Sequence, residues 1–204
     1  MENLLDPIQN IEHYKRPNGR IPGWQIAQGQ GMDLRQEAIA ALVHPLSRVT
    51  DLGCADGTML IMLYRAGKLA SGDGVDLWQD GIAWGQRYCA ENGLPIKLTQ
   101  GTIEDYIGRF SDVAIIGEVL EHSPDPVDIL HNAAFIADRL IVTVPIARPP
   151  MTAEEEARLR IEPDEHVQTY SLQTLEWQAR QAGMSIVSSR EIGASWRHLV
   201  VELE

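Results

Sequence analysis

The sequence predicts an α/β protein built on a doubly wound, mostly parallel seven-stranded sheet with an antiparallel C-terminal strand pair. Three observations predict it. From residue 47 onward, short apolar runs alternate with helical patterns, the order expected where helices cover both faces of parallel strands. The run "DVAIIGEVL", residues 112–120, is almost continuously apolar, which suits a central strand buried on both sides. The chain finishes in two β-like runs, "MSIVSSREIG" and "WRHLVVELE", separated by Gly193, which suggests a terminal antiparallel pair.

The elements follow in order. Residues 1–34 are rich in Gly, Pro and Trp and carry no periodicity, so they are expected to form an N-terminal cap or a partly flexible segment. Residues 35–204 are expected to be a single domain, because a chain of 204 residues suits one core rather than two. A first helix is predicted over "LRQEAIAALVHPL". "RVTDLG" reads as the first strand and "ADGTMLIMLYRAG" as its helix, stopped by Gly67; "GDGVDLW" is the second strand, and "QDGIAWGQRYCAENG" a helix stopped by Gly93. "PIKLTQG" is a weaker third strand, and the run at 112–120 is the fourth. Asp125 and Pro126 make an N-cap and first helical position for "VDILHNAAFIA", and "RLIVTVP" is a fifth strand closed by proline. A long connection, 145–170, leads to Ser171, which can cap "LQTLEWQARQA" ahead of Gly183. There is no internal repeat.

Composition excludes several classes of function. With 44% hydrophobic and 23% charged residues the chain is globular rather than disordered. Its 29 acids against 17 bases leave a formal charge of −12, which opposes a broad phosphate-backbone interface because each contact there needs a cation. Nucleic acid is therefore disfavoured as a partner. Two cysteines without Cys-x-x-Cys spacing suggest neither a zinc knuckle nor a redox pair. The start "MENLLDPIQN" has no basic flank followed by an apolar stretch, and no apolar run approaches membrane-spanning length. The expectation is a cytoplasmic protein with no membrane partner.

After the first strand comes "DLGCADG", residues 51–57, with Gly53, Ala55 and Gly57 at alternate positions ahead of a helix. Small residues there let backbone and ligand approach closely. A dinucleotide fingerprint needs its last glycine three residues after the second and offers a pyrophosphate an electropositive helix start. Here Thr58 follows Gly57, and Asp51 and Asp56 flank the turn. Two carboxylates repel a pyrophosphate, attract an ammonium and tolerate a neighbouring sulfonium. Charge complementarity thus points to S-adenosylmethionine rather than a nicotinamide dinucleotide. Asp76 ends the second strand about 20 residues beyond the turn, the offset at which an acid takes both hydrogen bonds from a ribose diol. Its bland alternative is a surface strand-end aspartate. Trp78 could cover an adenine face or simply pack.

With these residues in place the chain resembles the class I S-adenosylmethionine-dependent methyltransferases over roughly residues 35–204. The features that carry the resemblance are "VTDLGCADG", "GVDLW", "QGTIEDY", "EVLEHSPDP" and "EHVQTYSLQTLEW". It implies a Rossmann-like sheet and a cofactor site in which Asp51, Gly53 and Gly57 hold the methionine portion, with Ala55 and Leu77 also among the cofactor-binding residues. Asp76 would meet the ribose, Thr102, Ile103 and Glu104 the adenine, and Glu118 would help seat the cofactor. The family often carries Asp where Thr102 stands, so the adenine amino group falls to Glu104 or to backbone. Ala55 replaces the turn's middle glycine.

The string "EVLEH", residues 118–122, would place Glu118, Glu121 and His122 on one face of a helical turn. In much of the superfamily this turn lies beside the transferable methyl group. Together with "DEHVQTYS" it resembles two subgroups, the O-methyltransferases of ubiquinone biosynthesis and the small-RNA 3′-terminal 2′-O-methyltransferases. That similarity implies one divalent cation on Glu118, Glu121, His122 and His166, with His122, His166 and Glu118 as catalytic candidates. Two carboxylates and two imidazoles suit Mg²⁺, Mn²⁺ or Zn²⁺, and a bound cation lowers the pKa of a coordinated hydroxyl. A vicinal diol or catechol could then chelate. Two other readings stay open: His122 or His166 as a direct general base, and a structural role for the whole string. His13, His44, His131 and His198 have nothing convergent around them and are expected to be surface or satisfied core residues.

The connection "PIARPPMTAEEEARLRIEPDEH" is the natural lid, with Glu154 and Arg158, and Glu156 and Arg160, paired at i, i+4 on a short helix. Tyr14, Lys15, Arg16 and Trp24 could close the opposite side and would suit an anionic substrate. The expected activity is O-methylation of a hydroxyl on a small molecule or sugar. The alternatives are an RNA 3′-terminal 2′-O-methyltransferase and a catalytically silent methyltransferase-like module. N- or C-methylation stays open, and oligomeric state is not legible.

Overall fold

The computed structural model describes residues 21–108, 110–146, 166–193 and 197–204. A short helix α1 (Trp24–Ala27) precedes α2 (Leu34–Leu42). Then come β1 (Ser47–Leu52), α3 (Thr58–Arg65), β2 (Leu69–Asp76), α4 (Gln79–Glu91), β3 (Ile96–Gln100) and β4 (Val113–Gly117). A 3-10 turn (Leu120–His122) leads to α5 (Pro126–Ala134), β5 (Leu140–Pro145), α6 (Leu172–Gln181), β6 (Ile186–Ile192) and β7 (His198–Leu203).

The seven strands form one sheet in the order β3-β2-β1-β4-β5-β7-β6. β1 to β5 pair in parallel, and β7 runs antiparallel to both β5 and β6. The sheet is the doubly wound one that the sequence predicts. Side chains alternate across each strand. Thus Ala114 and Ile116 pack with Ile129, Leu130, Leu175 and Ala179 of α5 and α6 on one face. Ile115 packs on the other with Ile39, Leu60, Leu63 and Ile82 of α2, α3 and α4.

Local chemistry sets the element ends. Asp33 caps α2 through a capping box, its carboxylate accepting from the Gln36 amide while the Gln36 side chain accepts from the Asp33 amide. That helix stops earlier than the predicted 34–46, because Val43 turns extended (φ −79, ψ 125) two residues ahead of Pro45. Asp125 accepts from the Asp128 amide with Pro126 at the first helical position, and Ser171 accepts from the Thr174 amide. β4 also ends early. Glu118 takes a left-handed φ of 56, and the chain tightens into the 3-10 turn. Glu118 therefore does not share one helical turn with Glu121 and His122, which corrects the single-face expectation. Among the described residues no helix is long and apolar enough to cross a membrane.

Candidate active site

The carboxyl ends of β1, β2 and β4 open on a crevice of about 1050 Å³. Of the residues expected to meet a cofactor, Asp51, Gly53, Ala55, Asp76, Leu77, Thr102, Ile103, Glu104 and Glu118 line it. Gly57 does not. It is the left-handed N-cap of α3 (φ 79), where an added Cβ would come within 2.7 Å of the Leu98 side chain. Trp24, Arg35, Gln36 and Ile39 complete the wall from α1 and α2, and Trp78, Val119, His122 and Ile129 also face it.

The glycine turn is shaped by the acid at the end of β2. Asp76 Oδ2 accepts from the Ala55 amide at 2.7 Å and Oδ1 from the Trp78 amide at 2.8 Å. Ala55 is held left-handed at φ 52. Asp56 also lines the crevice, and it accepts from the Gly23 amide at 2.8 Å and the Thr58 amide at 3.1 Å, tying α1 to the start of α3. Asp51 is buried. Burial pushes its carboxyl up to about 7, against the pull of the Arg35 guanidinium and with added repulsion from Asp76 and Asp56. Arg35 is a crevice cation that the sequence reading missed. Gly117 leaves room for it, since a Cβ there would lie 3.0 Å from Arg35 Nη1.

At the end beyond β3, Thr102 is taken up locally. Its hydroxyl donates to Asp105 Oδ2 at 2.8 Å and accepts from the Asp105 amide at 3.1 Å. Glu104 and Asp105 are the carboxylates on that part of the wall. Trp78 is buried in the same wall.

Beside the crevice, the Glu121 carbonyl accepts from the amides of Val167 and Gln168 at 2.8 and 3.0 Å, which brings His166 against the 3-10 turn. The His122 and His166 rings meet edge to face with centroids 4.8 Å apart, and His122 Nε2 lies 3.7 Å from Glu121 Oε1. One ligand atom from each of Glu121, His122 and His166 falls within 4.8 Å of the other two. Glu121 is 1% exposed, and its Oε2 is buried without a hydrogen-bond partner. Burial, reinforced by Glu118, pushes this carboxyl up to about 8. One carboxylate and two imidazoles with an orphaned oxygen fit a divalent ion of the Mn²⁺ or Zn²⁺ kind.

Glu118 stands apart from these three. Thr143 donates to its Oε1 at 3.0 Å, and His198 Nδ1 lies 3.1 Å from its Oε2. Burial alone would raise this carboxyl, but His198, Arg35 and Thr143 outweigh it and hold the group below the usual carboxylate range. His198 was expected to be surface or satisfied core; it lies against Glu118, outside the crevice lining itself. His131 instead packs edge-on against Phe135. The expected lid helix with its Glu154–Arg158 and Glu156–Arg160 pairs, and Tyr14, Lys15, Arg16 and His13, lie outside the described residues.

Comparison with known proteins agrees with this geometry. The ubiquinone biosynthesis O-methyltransferase of Actinobacillus pleuropneumoniae serotype 5b (strain L20) is 30% identical over 123 residues, 57% of this chain and 51% of that protein. The chain thus spans about half the length of the curated relatives it matches. The structure of Burkholderia thailandensis 1,6-didemethyltoxoflavin-N1-methyltransferase, with S-adenosylhomocysteine bound, superposes with a TM-score of 0.71 at 16% identity, covering 100% of this chain and 92% of that one. Magnesium protoporphyrin IX methyltransferase from Synechocystis PCC 6803, with S-adenosylmethionine bound, gives 0.69 at 17% identity, covering 100% and 99%. The fold is that of the class I S-adenosylmethionine-dependent methyltransferases. Residues 33–147, more than half of the chain, match the family described as methionine biosynthesis protein MetW, and the chain belongs to that family.

Proposed function

We propose that the chain is an S-adenosylmethionine-dependent methyltransferase that acts on a hydroxyl oxygen of a small molecule or sugar, assisted by a divalent ion on Glu121, His122 and His166. The observation that supports it most is that His122 belongs both to the crevice wall and to the carboxylate–imidazole cluster. A cofactor in the crevice and an acceptor at the cluster would therefore meet there.

When bound, S-adenosylmethionine supplies an electrophilic methyl group, and a divalent ion supplies Lewis acidity that lowers the pKa of an acceptor hydroxyl. The chain's own residues do the positioning. Asp76, aimed by the Ala55 and Trp78 amides, accepts the ribose hydroxyls. Arg35 takes the methionine carboxylate, and Asp51 receives the ammonium, whose positive charge draws its raised pKa back down. Glu104 and Asp105 offer acceptors to the adenine amino group. Holding donor sulfur and acceptor oxygen in line is most of what methyl transfer needs.

The 3.7 Å approach of His122 Nε2 to Glu121 Oε1 supports a second reading, in which His122 takes the acceptor proton directly. Calorimetric titration with S-adenosylhomocysteine, followed by transfer of a tritiated methyl group to a panel of catechols and sugar diols, separates the readings. Ion-assisted transfer predicts loss with chelator, recovery with Mn²⁺ or Zn²⁺, and cofactor binding throughout. Transfer that ignores chelator but falls in His122→Ala selects the direct base. Cofactor binding with no transfer to any hydroxyl leaves N- or C-methylation and the silent-module alternative, and the acidic balance disfavours the RNA-terminal one.

A further inference from the structure

We infer that His198 is a positioning residue for the cofactor end of the site. From β7 it fixes the Glu118 carboxylate on the crevice wall, and it thereby assigns Glu118 to the methionine tail rather than to the ion cluster. The inference rests on the methyltransferase reading and deepens it.

Glu118 needs support because of where it stands. It follows β4 with a left-handed φ of 56, a conformation that a residue with a side chain adopts at a cost and keeps only when its surroundings over-determine it. The surroundings come from three directions. The Glu118 amide donates to the Thr143 carbonyl at 2.9 Å, and the Thr143 hydroxyl donates to Glu118 Oε1 at 3.0 Å. Arg35 faces the carboxylate from α2. His198 Nδ1 lies 3.1 Å from Oε2, a contact that favours the ionised carboxylate. Each carboxylate oxygen keeps a second lone pair that can receive the ammonium of a methionine tail.

Topology explains why His198 is there. β7 runs antiparallel to β5, with His198 opposite Pro145 and Val200 opposite Thr143. The first residue of β7 therefore sits at the same sheet edge where the parallel strands end. Glu118 is also absent from the set of ligand atoms formed by Glu121, His122 and His166. The two carboxylates of "EVLEH" thus have separate partners, His198 and Thr143 for one and His122 and His166 for the other.

The test is calorimetry of the full chain with S-adenosylhomocysteine and, separately, with Mn²⁺, on wild type, His198→Ala and His198→Asn, with folding checked by circular dichroism. His198→Ala is expected to weaken S-adenosylhomocysteine binding about tenfold, the scale of a lost contact to a charged group, while Mn²⁺ affinity stays at the wild-type value. His198→Asn keeps a nitrogen donor near the Nδ1 position and is expected to recover most of the loss. Unchanged cofactor affinity in His198→Ala, or a loss confined to Mn²⁺, overturns the inference. Should His198→Ala not fold, His198→Phe, which keeps the bulk of a ring and removes the nitrogen, carries the same expectation and the same contradiction. A wild-type protein that binds no S-adenosylhomocysteine overturns the methyltransferase reading itself, and this shows in the first titration.

Discussion

Gly53 forms a part of the crevice wall where no side chain fits. It takes φ 83, and a Cβ would fall 2.3 Å from Val119 Cγ2. Gly53→Ala is expected to lower stability by about 1–3 kcal/mol through the strained backbone, seen as a shifted urea midpoint, and to weaken cofactor binding as Val119 moves. Asp76→Asn loses the charge that the proposed function assigns to a ribose diol; S-adenosylhomocysteine affinity should fall by about tenfold or more in calorimetry. Both positions were legible, because a strand, a glycine turn and an acid at a fixed offset are local features. Arg35 and His198 were not. They lie 16 residues before Asp51 and 80 residues after Glu118, and only the fold brings Arg35 to the crevice and His198 against Glu118. Asp56 lines the crevice as the turn's flank suggested, and its ties to the Gly23 and Thr58 amides were the part that local sequence did not show.

At the scale of elements, α2 links stability to the site. Its first turn carries Arg35 and Gln36 into the crevice wall, and Asp33 caps it. Asp33→Ala is expected to cost about 1 kcal/mol, read as a lowered thermal midpoint, with weaker cofactor binding as the first turn frays. From α2 onward, the order and type of the main helices and strands could be read from apolar runs and caps such as Asp125, Pro126 and Ser171, while α1 lay in a stretch without periodicity. The turn after β4 could not. "EVLEH" has helical spacing, but the Glu118 amide is drawn to the Thr143 carbonyl of the neighbouring strand, so the chain kinks before a 3-10 turn instead of continuing a helix. A long-range hydrogen bond overrode local periodicity.

For the whole molecule, two buried carboxyls set the response to pH. Asp51 is raised to about 7 and Glu121 to about 8, so the folded state holds protons that the unfolded chain has released. Their contribution to stability is full below the ordinary carboxylate range and declines as pH rises toward 8, whereas Glu118, held below that range, contributes stability that is lost as pH falls. Glu121→Gln, which buries a neutral amide in place of the carboxyl, should flatten part of this decline in denaturant titrations across that range. The same substitution should abolish Mn²⁺ binding, because a ligating carboxylate must be deprotonated.

The central claim is that this acid-walled crevice receives a cationic sulfonium nucleoside and rejects a diphosphate dinucleotide. Calorimetric titration of one protein sample with S-adenosylmethionine and then with NADH tests it most directly. The structure predicts saturable binding of the first, lost in Asp76→Ala, and no heat from the second. Tight NADH binding with no response to S-adenosylmethionine would contradict it.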